Sequence, residues 1–85
     1  MKTFQYTITD EIGIHARPAR KLLQEARRYQ SKIVVKKDGR SAETNGLMAL
    51  MTLAVKCGET VTVEITGTDE EKAYDEMKKF FVEHL

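Results

Sequence analysis

Gly13-Ile14-His15-Ala16-Arg17-Pro18-Ala19 is the place in this chain where one hydrophobic period stops and another begins. Upstream of it, Phe4, Tyr6 and Ile8 alternate with Thr3, Gln5 and Thr7, the period-two pattern of a strand with one buried face. Asp10-Glu11-Ile12-Gly13 then reads as a loop. From Ala16 the apolar residues Ala16, Ala19, Leu22, Leu23 and Ala26 recur at helical spacing, with Arg20, Lys21, Glu25 and Arg28 mostly on the other side. The spacing predicts an amphipathic helix from Ala16 to about Tyr29. Pro18 fits its first turn, where a missing N–H breaks no helical bond. His15 therefore stands at the junction of an extended segment and a basic helix.

Working outward, Ile33-Val34-Val35 reads as a second strand. Asp38-Gly39 is a hairpin turn pair returning the chain through Arg40-Ser41-Ala42-Glu43, a short edge strand. Leu47, Leu50, Met51 and Ala54 fit a short second helix. After a turn at Gly58, Val61, Val63 and Ile65 alternate with threonines and a glutamate. Thr68-Asp69-Glu70-Glu71 has the spacing of a capping box, with Thr68 accepting from the Glu71 amide, and opens a final helix that buries Ala73, Met77, Phe80 and Phe81. Strands with one apolar and one polar side point to an antiparallel sheet covered on one face. The expected architecture is an α+β open-faced sandwich, β-α-β-β-α-β-α, as one domain over residues 1–85.

Composition bounds the function. With 85 residues, 41% hydrophobic and 32% charged, the chain suits one small core and chemistry done at the surface rather than in a deep enclosed cleft. No apolar run suits a signal peptide or a membrane span, and the lone Cys57 has no disulfide partner, so a cytoplasmic location without membrane insertion is expected. Cys57 itself reads as a small, half-buried residue. The net charge of +1 hides an asymmetry: residues 1–40 carry +6 and residues 41–85 carry −5. The basic excess at Arg17, Arg20, Lys21, Arg27 and Arg28 suits an acidic protein surface or a phosphate. Nucleic acid is disfavoured, because no aromatic side chain interleaves with these cations to stack on bases.

A histidine imidazole is largely neutral near pH 7 and then offers a nitrogen lone pair that can attack phosphorus. At a helix start it meets free backbone N–H groups and a partial positive charge, both favourable to an attached phosphoryl dianion. With Pro18 lacking a donor, the Ala16 and Arg17 amides remain, and the Arg17 guanidinium can bridge phosphate oxygens. Taken alone, a histidine at a helix start is most often a simple cap or a solvent-exposed residue. Metal binding at His15 has no ligand set nearby in sequence, no cofactor is implied, and His84 reads as a cation placed favourably near a helix end. Leu47, Met48 and Met51 cannot all face inward at helical spacing, so Met48 and one neighbour should form an exposed apolar patch.

The string at 13–19, Leu47-Met48-Ala49-Leu50-Met51-Thr52-Leu53, and the strand with its acidic helix start at 60–71 together resemble the HPr family, the histidine-containing phosphocarriers of the bacterial sugar phosphotransferase system. The resemblance covers essentially the whole chain. It implies a sheet order of 1-4-2-3, with His15 as phosphate acceptor through Nδ1 and Arg17 as its phosphate partner. It implies transfer from enzyme I to enzyme IIA domains by a monomer, with the partners supplying most catalytic groups. Docking would use Leu47, Met48 and Met51, rimmed by Arg20, Gln24 and Arg27. Arg20 departs from the family pattern, in which a small residue or threonine is commoner. The alternative function is a regulatory HPr-like module acting by protein binding, like the Crh branch, which lacks the acceptor histidine. Gly46 occupies the position of the serine that an ATP-dependent HPr kinase modifies in Gram-positive relatives, so no regulatory serine is expected here.

Overall fold

The computed structural model describes residues 1–44 and 46–85. Its elements run β1 (Lys2–Thr7), α1 (Ala16–Ala26), β2 (Lys32–Lys37), β3 (Arg40–Glu43), α2 (Leu47–Thr52), β4 (Thr60–Thr66) and α3 (Glu70–His84). The strands form one antiparallel sheet in the order β1-β4-β2-β3. This is the open-faced sandwich expected from the periods, with the strand order that the resemblance implied.

Register explains why one face is covered. Phe4 lies opposite Val63, Val63 opposite Val35, and Val35 opposite Ala42, so a buried apolar row crosses all four strands. One residue along, Gln5, Thr62, Lys36 and Ser41 form the matching polar row on the open face. Because side chains alternate with a period of two, a one-residue slip of any strand would move its apolar set into water. Ala19, Leu22, Leu23 and Ala26 of α1 and Ala73, Met77, Phe80 and Phe81 of α3 close over the apolar side. Phe81 is fully buried and meets Phe4 and Tyr6 edge-on at ring separations of 5.6 and 5.7 Å. Burying one such ring contributes about 1.5–3 kcal/mol.

At the hairpin, Asp38 and Gly39 both take positive φ, 50° and 79°, the geometry of a two-residue turn that matches strand twist. Lys37, the last residue of β2, alternates onto the core side and is nearly buried there. Its ammonium is neutralised by Glu59 at 2.9 Å and donates to the Ala54 carbonyl at 3.1 Å. The bond from Lys37 and that from the Lys56 amide hold the Glu59 carboxyl below the usual carboxylate range.

Five local expectations are corrected. The first helix ends at Ala26 and not near Tyr29: Arg28 and Tyr29 already donate to carbonyls three residues back, tightening the last turn. Ala16, counted in its apolar set, is exposed at the start of that helix. Ala54 is not helical; it takes φ 52° after α2 has ended. The capping box does not form. Thr68 donates to Gln30, and Asp69 becomes the N-cap with its carboxylate turned away to the Gln30 amide and the Ser31 hydroxyl, at 2.9 and 2.5 Å. Those bonds, the Ser31 one foremost, keep the Asp69 carboxyl below its ordinary range. The reach-back is made instead by Glu70, which accepts from the Gly67 amide at 3.2 Å. A long-range tie between the start of β2 and the start of α3 has displaced the local cap. Cys57 is exposed and not half-buried, its thiol 3.7 Å from the Thr9 carbonyl. Among the described residues, no helix is long and apolar enough to cross a membrane.

Candidate phosphate-accepting site

The loop before α1 is fixed from several sides. Gly13 has φ 80°, and a Cβ built there would lie 2.3 Å from the Val55 carbonyl oxygen and 2.8 Å from the Lys56 Cα. Only glycine fits both the conformation and the close approach. Ile14 donates to that same Val55 oxygen at 3.0 Å and buries its side chain. The end of α3 closes the other side, where the Thr9 and Asp10 amides both donate to the Leu85 main-chain oxygen at 2.7 and 2.9 Å. Gly13→Ala is therefore expected to lower stability by about 1–3 kcal/mol, because both contacts are to backbone and cannot yield cheaply. A urea titration checks this; an unchanged midpoint would show that the 53–58 loop gives way freely.

So held, His15 becomes the N-cap of α1, with extended backbone at φ −117° and ψ −176°. Its imidazole makes no capping bond, so the side chain is free for other work. The His15 carbonyl receives the Ala19 amide at 3.0 Å and starts the helical ladder. Ala16 and Arg17 occupy the two positions whose N–H groups have no intrahelical acceptor, and among the described residues neither finds another. Pro18 sits third, buried, with no N–H to orphan.

His15, with its side chain 33% exposed, lines an open depression of about 270 Å³ together with Asp10, Arg17, Pro18, Lys21, Glu83 and His84. That volume suits a phosphoryl group with its hydration better than an organic substrate. His15 Nε2 points toward Asp10 Oδ2 at 3.9 Å. Arg17 is exposed, and among the described residues Arg17, Arg20, Lys21 and Arg27 have no carboxylate within 4 Å. Their charge remains available to a partner or a phosphate.

Of the residues singled out from the sequence, His15 and Arg17 share this depression, and the Ala16 amide opens the same helix. Arg20 and Gln24 are exposed on α1 and Arg27 at its C-cap, and α1 packs against α2. On α2, Met48 is 76% exposed while Leu47 and Met51 are half-buried against the core edge. Asp10, Glu83 and His84 were not anticipated as site residues, and Lys21 was noted only within the basic cluster suited to phosphate. Lys21 was discoverable, since it lies one helical turn after Arg17. Asp10, Glu83 and His84 arrive through tertiary packing, and His84, read as a helix-end cation, stacks on Phe80 at 4.6 Å while facing the site depression. Among the described residues no group of three or more His, Cys, Asp or Glu side chains is placed to hold a metal ion.

A four-stranded open-faced sandwich in the order 1-4-2-3, with a histidine presented at the first helix start, is the fold of the small histidine phosphocarriers. The family model described as "PTS HPr component phosphorylation site" matches residues 2–83. The phosphocarrier protein HPr of Lysinibacillus sphaericus is 36% identical over 83 residues, covering 98% of this chain and 94% of that one. The solved structure of a mycoplasma histidine-containing phosphocarrier protein superimposes with a TM-score of 0.92 at 30% identity, covering 96% of this chain and 93% of that one. That of Bacillus subtilis Crh, described as a swapped dimer, matches with a TM-score of 0.78 at 33% identity, covering 100% and 98%. The chain belongs to the HPr family of phosphocarriers.

Proposed function

We propose that this chain is the phosphoryl carrier of a sugar phosphotransferase system, acting in the cytoplasm as a monomeric single domain. It takes phosphate from enzyme I on His15 Nδ1 and gives it to enzyme IIA domains. The observation that carries the reading is the His15 imidazole, unengaged as a cap, partly exposed in a depression shared with Arg17 and set beside free first-turn amides. In the transfer step the Nδ1 lone pair attacks phosphorus, a P–N bond forms, and the bond from phosphorus to the donor breaks. The Ala16 and Arg17 amides and the Arg17 guanidinium then hold the phosphoryl oxygens. The reverse displacement by a nucleophile on enzyme IIA empties the site. Arg20, Gln24 and Arg27 would meet the partner around the Leu47, Met48 and Met51 patch, with Met48 its most exposed member. Incubation with enzyme I and phosphoenolpyruvate should add one acid-labile phosphoryl group by intact mass; no added mass would contradict the reading.

The match to Crh supports a second reading, a regulatory module that works by protein binding and pairs with a second copy. His15 argues against it, since the Crh branch lacks the acceptor. Light scattering at working concentration separates the two states of assembly, a monomer being expected.

Regulation by the HPr kinase should be absent. Gly46 is the N-cap of α2 in extended backbone, φ −148° and ψ 126°, and a Cβ there would meet nothing within 4 Å. Asn45, which was considered as an alternative cap, lies outside the described residues. The nearby hydroxyls are committed: Thr44 is buried and donates to the Ile33 carbonyl at 3.2 Å, and Thr52 donates to the Met48 carbonyl at 2.7 Å. We expect no stoichiometric phosphorylation by HPr kinase and ATP, and its appearance in Gly46→Ser with little change in stability, since serine caps a few tenths of a kcal/mol better than glycine. A phosphate carrying about −1.5 to −2 charges beside the apolar patch should then oppose docking of enzyme I. Modification of the unaltered protein at Ser41, Thr44 or Thr52 would show that the switch had moved rather than vanished.

A further inference from the structure

Asp10 lies outside the helix that presents His15, yet its carboxylate is held facing the imidazole. One oxygen, Oδ1, accepts from the Ile12 amide at 2.9 Å. The Asp10 amide donates to the Leu85 oxygen, and the Asp10 carbonyl accepts from Gly13 at 2.9 Å. With backbone and one carboxylate oxygen tied, the free oxygen Oδ2 lies 3.9 Å from His15 Nε2. It is shielded on the same scale as the ring, 30% exposed against 33%.

A neutral imidazole carries its single proton on one nitrogen or the other, and a carboxylate facing Nε2 favours the tautomer with the proton there. The Nδ1 lone pair is then left for phosphorus. The same negative charge also opposes a phosphoryl group on Nε2, which would bring a dianion against the carboxylate. Around the depression the other charged or titratable groups are Arg17 and Lys21 from α1, and Glu83 and His84 from α3. The cations favour phosphate wherever it binds, and among the described residues Asp10 supplies the one carboxylate within 4 Å of Nε2, so the choice of nitrogen falls to the aspartate. We propose that Asp10 is a positioning residue that keeps the His15 proton on Nε2 and directs phosphate to Nδ1. This deepens, and for its catalytic consequence rests on, the carrier reading above.

Two substitutions at Asp10 separate its effects on the ring from its effects on the loop. Asp10→Ala removes both the charge and the Ile12 acceptor. Asp10→Asn can keep the Ile12 bond through its amide oxygen and so turn its NH₂ toward His15, offering Nε2 a donor in place of an acceptor. The imidazole ¹⁵N shifts at neutral pH, read without any partner, should show the Nε2–H tautomer dominant in the unaltered protein. They should show a mixture close to that of free imidazole in Asp10→Ala, and a tilt toward Nδ1–H in Asp10→Asn. The rate of phosphorylation by enzyme I should fall about tenfold in kcat in both variants, with KM for the partner little changed. Glu11→Gln, a charge change on the neighbouring exposed residue, should alter neither reading. An unchanged tautomer in both Asp10 variants overturns the proposal whether or not transfer occurs, and so does a changed tautomer with unchanged kcat. Absence of transfer in the unaltered protein overturns the carrier reading alone, and an altered tautomer would still uphold the hold of Asp10 on the ring.

Discussion

His15→Ala is expected to abolish incorporation of acid-labile phosphate from enzyme I and phosphoenolpyruvate, with no residual slow phase. The reasoning is chemical rather than electrostatic. The substitution removes the imidazole at the start of α1, and of the groups that share its depression the two α1 cations cannot replace it. A guanidinium and an ammonium are donors without an acceptor lone pair, so Arg17 and Lys21 can hold a phosphate but not accept it covalently. The fold should be indifferent, because the imidazole makes no cap bond and, among the described residues, its ion-pair partner is a carboxylate 3.9 Å away. Circular dichroism and a thermal scan should therefore overlay on those of the unaltered protein. His84 is the informative competitor, as a second imidazole lining the same depression. Label retained in His15→Ala and lost in a double variant with His84→Ala would move the chemistry to the end of α3.

Arg17→Ala comes next in size. Its guanidinium is exposed and free of carboxylate partners among the described residues, so removal leaves no buried charge uncompensated. What is lost is a charge-assisted, two-pronged donor to phosphate oxygens where negative charge is passed between proteins. Loss of one such donor typically slows a reaction by 10²–10³-fold, and exposure to water weakens the effect, so a decrease of roughly 10–1000-fold is expected. Arg17→Lys should recover only part of it, since an ammonium supplies the charge without the planar fork. Rates followed by rapid quench for both the enzyme I and the enzyme IIA steps provide the check. Unchanged kinetics in both would reduce Arg17 to a surface cation.

How far the sequence could be read depended on how local each determinant is. The strands β1 and β4 and the helices α1 and α3 each carry their own period, and the Asp38-Gly39 pair states its turn directly. Their order across the sheet has no such local sign; it came from resemblance, and the register rows through Val63 and Thr62 show what enforces it. The misread start of α3 has a tertiary cause. Asp69 caps nothing locally because Gln30 and Ser31, brought close by the fold, bind it more fully than its own helix does. Lys37, a charged residue on the core side of β2, is tolerated only because Glu59 and Ala54 from a distant loop meet it.

The site divides in the same way. His15, Arg17 and Pro18 were legible because they lie within one turn of a recognisable helix start. Asp10 and His84 were not, because the first reaches the ring only after the Ile12 and Leu85 ties shape its loop, and the second lies at the far end of the chain. Resemblance supplied the acceptor nitrogen, and the proposed hold of Asp10 on Nε2 would give that choice a physical reason.

The claim on which all of this turns is that phosphate resides on His15 Nδ1. Heteronuclear NMR of ¹⁵N-labelled protein, phosphorylated with enzyme I and phosphoenolpyruvate, reads that bond directly through phosphorus–nitrogen coupling. The coupling should appear at Nδ1 of His15, with Nε2 still protonated and His84 unmodified. A coupling at Nε2 of His15, at either nitrogen of His84, or a phosphate on a hydroxyl oxygen would contradict it.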